Sequence, residues 1–333
     1  MRIAVIGGVQ STDLLLVKLA EHGFDSVKIW GYEPGDTREV SSWVNLRGRA
    51  ESLGFPFEGF QKVSECCKDL ELFKPDVLFA VGLSQIIPRE MFDIASWCNI
   101  GFHPTALPIG RGRAPIAWLA YEGVRGAATF FLLSEGVDNG PILVQEGFDI
   151  IEEDDAETVT LKALQAQKVA LERLLPQLAE RSTEPKIQDE GAATWYGRRA
   201  PQDGLINWNE DAKCVIRQIR AATHPHPGAF TYHQDETISI WKASVESKPI
   251  KGVVGRILEI DPSGEFLVQT GSGPLRIHEW TSQSTWSPKV GVLLGYSTDY
   301  ELHRLRRRCS LLEQELDYLK CLFSEIKSNN FNK

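Results

Sequence analysis

An α/β fold is predicted: a Rossmann-like, mostly parallel sheet in the N-terminal part, a small antiparallel β-barrel-like C-terminal domain, and a coiled-coil helix at the C-terminal end. Three observations carry this. Through roughly the first hundred residues short β-rich runs alternate with amphipathic helical runs, the rhythm of βαβ units around a parallel sheet covered on both faces. From about Asn207 the pattern changes to short strands separated by Gly and Pro, as in a small antiparallel barrel or sandwich. From Leu302 an unbroken heptad pattern of apolar residues begins.

In the first part, Arg2 to Ile6, Val27 to Trp30, Val77 to Val81 and Cys98 to Phe102 read as strands. Thr12 to Glu21, Val44 to Leu53, Val63 to Phe73 and Glu90 to Trp97 read as helices. The turn Gly7-Gly8-Val9-Gln10-Ser11 lacks the GxGxxG spacing that brings backbone up to a pyrophosphate, so it reads as a tight strand-to-helix turn with Ser11 as N-cap. Another strand, Ala127 to Leu133, precedes a helix from about Ala156 to Arg181, whose Leu161, Leu164, Val169, Leu171, Leu175 and Leu178 partly follow a helical period. That helix closes the first domain, residues 1–182, and Ser182-Thr183-Glu184-Pro185 opens a linker over 183–209. The second domain, 210–284, has one helix, Asp211 to Ala222. Its strands are Ala229 to Tyr232, Ile238 to Ala243, Val253 to Ile260, Phe266 to Thr270 and Leu275 to Trp280.

The tail, 298–328, begins at a Thr298/Glu301 capping box. Its a positions are Leu302, Cys309, Leu316 and Phe323, and its d positions Leu305, Leu312, Leu319 and Ile326. So narrow a seam suits a coiled coil better than a helix lying on its own domain, which needs a wider apolar stripe. Each leucine fully buried in such a seam contributes roughly 1.5–3 kcal/mol. A homodimer held by this helix is expected, in parallel or antiparallel arrangement, with intramolecular packing of the helix as the alternative.

Lys+Arg 36 against Asp+Glu 45, a net charge of −9, disfavours a surface built around nucleic-acid backbone. No apolar run approaches the roughly 18–20 residues that cross a bilayer. The opening Met1-Arg2-Ile3-Ala4-Val5-Ile6 reads as a first strand with no signal peptide before it, so neither a membrane nor a nucleic-acid partner is expected, and a cytoplasmic location is. The six cysteines show no CxxC spacing and read as reduced core or seam residues.

The densest cluster of unusual residues runs from Asn99 to Pro108 and on through Gly110-Arg111-Gly112-Arg113 to Pro115. His103 stands at the C-terminal end of a predicted buried strand, where open α/β sheets place their ligands. Pro104 and Pro108 stiffen its exit, and the loop Glu135-Gly136-Val137-Asp138-Asn139-Gly140 offers a carboxylate to set beside the imidazole. A His–carboxylate pair is a proton-transfer device, because an anion favours the protonated ring and fixes its tautomer. His224-x-His226 brings no acidic or cysteine partner, so no metal is expected.

At these residues the chain resembles the folate-dependent formyltransferases. The resemblance is carried by His103-Pro104-Thr105-Ala106-Leu107-Pro108, Pro115-Ile116-Ala117-Trp118 and Glu135-Gly136-Val137-Asp138-x-Gly140-Pro141-Ile142, within a stretch from about Lys74 to Trp241. It implies that His103 and Asp138 are catalytic and that the co-substrate is N10-formyltetrahydrofolate. Its pterin would sit between Leu83-Ser84-Gln85-Ile86 and the loop of Gly136 and Asp138. In one place the chain departs from the family: Gly101 stands where the Asn two residues before the catalytic His usually steadies the developing oxyanion. Asn99 is no obvious substitute, because four residues of strand put it roughly 13 Å from His103 at about 3.3 Å per residue.

Two later segments resemble the sugar-nucleotide branch: Arg199-x-Pro201-x-Asp203-Gly204-x-Ile206-x-Trp208, a connection shared with the tRNA branch, and Thr223-His224-Pro225-His226-Pro227-Gly228-Ala229-Phe230. Aromatic rings stack on nucleobases and guanidinium groups suit a diphosphate. Arg111, Arg113, Trp195, Tyr196, Arg198, Arg199, Arg220 and His224 are therefore the candidate substrate contacts, and a nucleotide-linked amino sugar the expected acceptor. Methionyl-tRNA formyl transfer, folate hydrolysis and a non-catalytic assembly role stay open as alternatives.

Overall fold

The structure, a computed structural model, describes residues 1–36, 40–83 and 85–331, with side chains as far as Ser324 in the last helix. In chain order it runs β1 (Ile3–Gly7), α1 (Gln10–Glu21), β2 (Val27–Tyr32), α2 (Leu46–Leu53), β3 (Phe57–Phe60), α3 (Cys67–Phe73), β4 (Val77–Ala80), β5 (Cys98–Thr105), β6 (Arg111–Gly112), α4 (Pro115–Glu122), β7 (Gly126–Leu132), β8 (Ile142–Phe148) and α5 (Ala156–Glu180). One sheet takes the order β3-β2-β1-β4-β5-β7-β8, parallel through β5 and antiparallel beyond it.

The central strands are buried on both faces, which is why they read as continuous apolar runs. On β1, Ile3 and Val5 enter the core that α1 and α5 cover, while Ala4 and Ile6 point into the second core with Trp30, Leu70 and Met91. The first turn is tied by Thr12 and not by Ser11. Its hydroxyl accepts from the amides of Gly8 and Val9 at 3.2 and 3.4 Å and donates to the Val81 carbonyl at 2.7 Å. Asp155 caps α5 by accepting from the Thr158 amide at 2.9 Å.

Glu90 to Trp97, expected as a helix, forms only the 3₁₀ turn Arg89–Met91 followed by irregular turns. The Asn99 side chain claims this backbone, donating to the Phe92 carbonyl at 2.6 Å and accepting from the Ala95 amide at 3.4 Å, so the helical ladder is replaced. β5 is longer than expected. It continues past Phe102 to Thr105 because β7 pairs along it, His103 opposite Thr129 and Thr105 opposite Gly126. On its other side β4 stops at Ala80, opposite Gly101. His103 therefore sits just beyond the parallel part of the sheet.

Within the stretch read as linker lies β9 (Trp195–Tyr196), which pairs with β6, and after it comes α6 (Ala212–Ala222). Then follow β10 (Ala229–His233), β11 (Glu236–Val245), β12 (Ile257–Ile260), β13 (Phe266–Gln269) and β14 (Pro274–Ser282). The five form an antiparallel sheet in the order β10-β11-β14-β13-β12, an open sheet whose two ends are not paired with each other. Val215, Ile216 and Ile219 of α6 fill the core against Ile238, Ile240, Phe266 and Leu275. Ala221, on the same helix, joins the core of the first sheet, so α6 couples the two units.

The last helix, α7 (Thr298–Phe331), starts at Thr298 itself, and the Glu301 carboxylate pairs with Arg304 at 3.0 Å instead of closing a capping box. Every described side chain from Leu302 to Ser324 is exposed, with Leu312 at 47% and Phe323 at 68%. Cys66 and Cys98 are buried, and burial pushes both thiols up to about 12; Cys67 and Cys214 are half-buried. Cys309 and Cys321 are exposed on α7, the latter at an outward f position away from the seam. No helix among the described residues is long and apolar enough to cross a membrane.

Candidate active site

β5 carries His103 inward, 6% exposed, and the β7–β8 connection brings Asp138 to it. Nε2 of His103 lies 2.9 Å from the Gly110 carbonyl, and Nδ1 lies 3.6 Å from Oδ2 of Asp138. A carbonyl only accepts, so Nε2 carries the hydrogen and Nδ1 is the bare nitrogen of the neutral ring. A proton taken up at Nδ1 then points at the carboxylate. Asp138 is fixed in turn, accepting from the Gly112 amide at 2.8 Å. That contact needs a glycine, because at φ +106° a Cβ on residue 112 would lie 2.5 Å from the Tyr196 carbonyl oxygen.

A second layer holds the Asp138 loop. Gln188 donates to the carbonyls of Asp138 and Gly140 at 2.8 and 2.7 Å, and its own oxygen accepts from Arg111 at 2.9 and 3.2 Å. The Arg111 guanidinium, only 2% exposed, then closes a two-point pair on Glu190 at 2.7 and 2.9 Å. That pair raises the Arg111 pKa and holds the Glu190 carboxyl below its ordinary range. Gln188 and Glu190 carry no sequence signal, since both fall in a stretch that reads as linker.

Gly101 has a steric explanation. A Cβ there would lie 2.7 Å from Cζ of Phe131 and 2.8 Å from Cδ2 of Leu133, so β7 has filled the space beside this position and a side chain on residue 101 has no room. Asn99, spent on the Phe92 carbonyl, is not turned to His103.

The structure separates the residues grouped from sequence. Beside the 136–139 loop opens a cleft of about 480 Å³ lined by Gly136, Val137, Asn139, Arg111, Gly112, Arg113, Glu190, Trp195 and Tyr196. Trp195 is 62% exposed there. Tyr196 stacks on Trp118 with ring centroids 5.6 Å apart and donates to Glu122 at 2.6 Å; burial, with Glu122, raises its pKa. Arg113 is exposed on the cleft wall, and Arg111 is tied to Gln188 and Glu190.

Arg198 is exposed. Arg199 is not in the cleft: it packs over Trp118 and Tyr121 and donates to Gln218 at 2.9 Å, with burial lowering its pKa. Arg220 lies on α6 with its Nε buried and unbonded, and burial lowers its pKa as well. His224 lines a different cleft, of about 520 Å³, on the C-terminal sheet, where it stacks on Trp241 at 4.2 Å.

Of the expected pterin loop, Leu83 packs against the second core of the first sheet, and Ile86 is 89% exposed. The Gln85 amide is used up by the Gln61 carbonyl and the Val63 amide, both at 2.8 Å. Ser84 lies outside the described residues. Arg89, just after this loop, pairs with Glu135 at 2.5 Å and so connects it to the Asp138 loop. Among the described residues no group of three or more His, Cys, Asp or Glu is placed to hold a metal ion. The His226 ring instead meets Ser41 at 3.0 Å, and burial, with Arg199 nearby, depresses its pKa to about 4.

Residues 55–175 match the family model described as formyl transferase, and residues 199–285 the model of the formyl transferase C-terminal domain. A methionyl-tRNA formyltransferase of Syntrophomonas wolfei is 30% identical over 222 residues, 66% of this chain and 69% of the relative. Among solved structures, an N-formyltransferase from Helicobacter canadensis in complex with folinic acid and dTDP-3-aminofucose is similar with a TM-score of 0.64 at 16% identity, over 84% of this chain and all of that one. HypX from Aquifex aeolicus in complex with tetrahydrofolic acid gives 0.62 at 18% identity over 87% of this chain. The chain spans less than half of HypX, 46% of its length.

Proposed function

Since the chain belongs to the formyltransferase family, we propose that it moves the formyl group of N10-formyltetrahydrofolate to the primary amine of a nucleotide-linked amino sugar. The observation that carries this is the His103–Asp138 pair beside a cleft walled by Trp195, Tyr196 and Arg113. The folate would lie between Leu83, Gln85 and Ile86 on one side and the 135–139 loop on the other, residues whose mixed apolar and amide character suits an aromatic, hydrogen-bonding ring. The bare Nδ1 of His103 takes the proton that the attacking amine releases, and Asp138 holds the charged ring in place. In the balance a C–N bond forms at the amine, the bond from the formyl carbon to N10 breaks, and the amine's proton ends on N10. With residue 101 denied a side chain, and with the two ring nitrogens of His103 facing the Gly110 carbonyl and the Asp138 carboxylate, the donor to the developing oxyanion would be a backbone N–H or a water molecule.

Methionyl-tRNA formyl transfer is the second reading, favoured by the relative from Syntrophomonas wolfei. Against it, the basic side chains of the C-terminal sheet do not form a free track. Arg276 is held by Glu246 at 2.8 Å and by Asp261 at 3.3 Å, Lys242 sits 3.8 Å from Glu279, and Arg256 donates to the Gly291 carbonyl. A net charge of −9 points the same way.

The proposal includes the division into a catalytic unit 1–182, a linker 183–209, a C-terminal unit 210–284 and the tail helix, with the protein a cytoplasmic homodimer. The test is turnover with N10-formyltetrahydrofolate against a panel of nucleotide-linked amino sugars and charged initiator tRNA. Formylation of an amino-sugar nucleotide, with tRNA neither formylated nor competing, is expected. Efficient formylation of tRNA with no sugar nucleotide turned over would replace this reading by the second one.

A further inference from the structure

α7 projects from the molecule with its apolar seam bare: Leu305, Leu316 and Leu319 are each more than half exposed. We infer that it joins a second copy of this chain as a parallel, in-register, two-stranded coiled coil. This rests on the homodimer reading, held by this helix, and adds to it the orientation and the register.

The occupant follows from the charges that flank the seam. In a parallel pair each g residue meets the e residue five positions further along the other helix. These meetings are Glu301 with Arg306, Arg308 with Glu313 and Glu315 with Lys320, every one of opposite sign, and the fourth begins at the apolar Leu322. A fully overlapped antiparallel pair instead sets e against e and g against g about the middle of the seam. Glu313 would then face its own copy, Glu315 likewise, and Arg306 would face Lys320, all of like sign. The helix is thus complementary to itself in one orientation and repels itself in the other. An unrelated partner gives no reason for that self-complementarity.

Cys309 reports the register, since it occupies an a position and is exposed on the isolated helix. In the parallel pair it lies beside Cys309 of the other copy, within reach of a disulfide; in the antiparallel pair it lies beside Leu319.

The experiment uses the full chain carrying Cys321→Ser, so that Cys309 is the one exposed thiol left on α7. Its mass is measured by sedimentation equilibrium, and dilute samples are oxidised with copper phenanthroline, which takes two electrons from each thiol pair, before non-reducing electrophoresis. A dimer is expected, with most of the chain trapped as a covalent dimer and none trapped once Cys309→Ser is added. Leu312→Asp/Leu319→Asp should leave a monomer with unchanged near-ultraviolet circular dichroism. A dimer in which Cys309 does not cross-link would overturn the parallel register and leave the homodimer reading standing. A dimer that survives the Asp pair would remove α7 from the interface, a trimer would overturn the two-stranded form, and a monomeric parent protein would overturn both readings.

Discussion

Gln188 holds Asp138 from behind: its side-chain amide donates to the Asp138 carbonyl at 2.8 Å while the Asp138 carboxylate faces His103. Asp138 itself adopts a left-handed conformation, φ +52°, which a non-glycine residue keeps only when its surroundings hold it there. Gln188→Leu leaves two loop carbonyls unpaired, and is expected to cost about 1–3 kcal/mol of stability. Turnover should fall roughly tenfold to a hundredfold through misplacement of the carboxylate. Gln188→Glu keeps the shape but removes the donor, and should lose kcat more than it raises KM. Wild-type kcat in the Leu variant would show that the loop holds without Gln188.

His103→Ala and Asp138→Ala should each remove at least about 10²–10⁴ in formyl transfer, the usual worth of a positioned acid or base. Both are expected to keep the fold, because neither side chain belongs to a hydrophobic core cluster. Turnover measured beside circular dichroism checks this. A near-wild-type rate in either folded variant removes that residue from the mechanism.

Gly101→Ala should destabilise by about 1–3 kcal/mol, since its Cβ would come within 2.7 Å of the Phe131 ring. Phe131→Ala opens that space at its own cost of about 3–5 kcal/mol. Denaturant melts of the two single variants and the double variant should show the double to be more stable than the sum of the singles predicts. Strict additivity would mean that Phe131 is not what excludes a side chain at residue 101.

Stability should fall as the pH drops from about 6.5 towards 4. The unfolded chain protonates His226 at its ordinary value near 6.5, the folded chain only near 4, so between those values the unfolded state binds the extra proton and is favoured. Above pH 6.5 this contribution to stability is fully present. His226→Gln removes the titrating group and should flatten the slope of Tm against pH across that window. An unchanged slope would assign the loss to other groups.

The alternation of the first hundred residues, the strand-rich C-terminal unit and the helical course of α7 were legible from local pattern, because a buried strand and a helix each have their own period. His103 and Asp138 were legible as a pair through motif and spacing. Partners distant in the chain decided the rest. Asn99 turned an amphipathic run at 90–97 into irregular turns by holding Phe92 and Ala95. Pairing with β7 carried β5 on to Thr105. Glu190 and Gln188 converted Arg111 from a candidate anion receptor into a support for the Asp138 loop. Residue type limits what a side chain can bond, but these hydrogen bonds span 77–79 residues of chain around Arg111, and only the folded arrangement selects which group arrives there first.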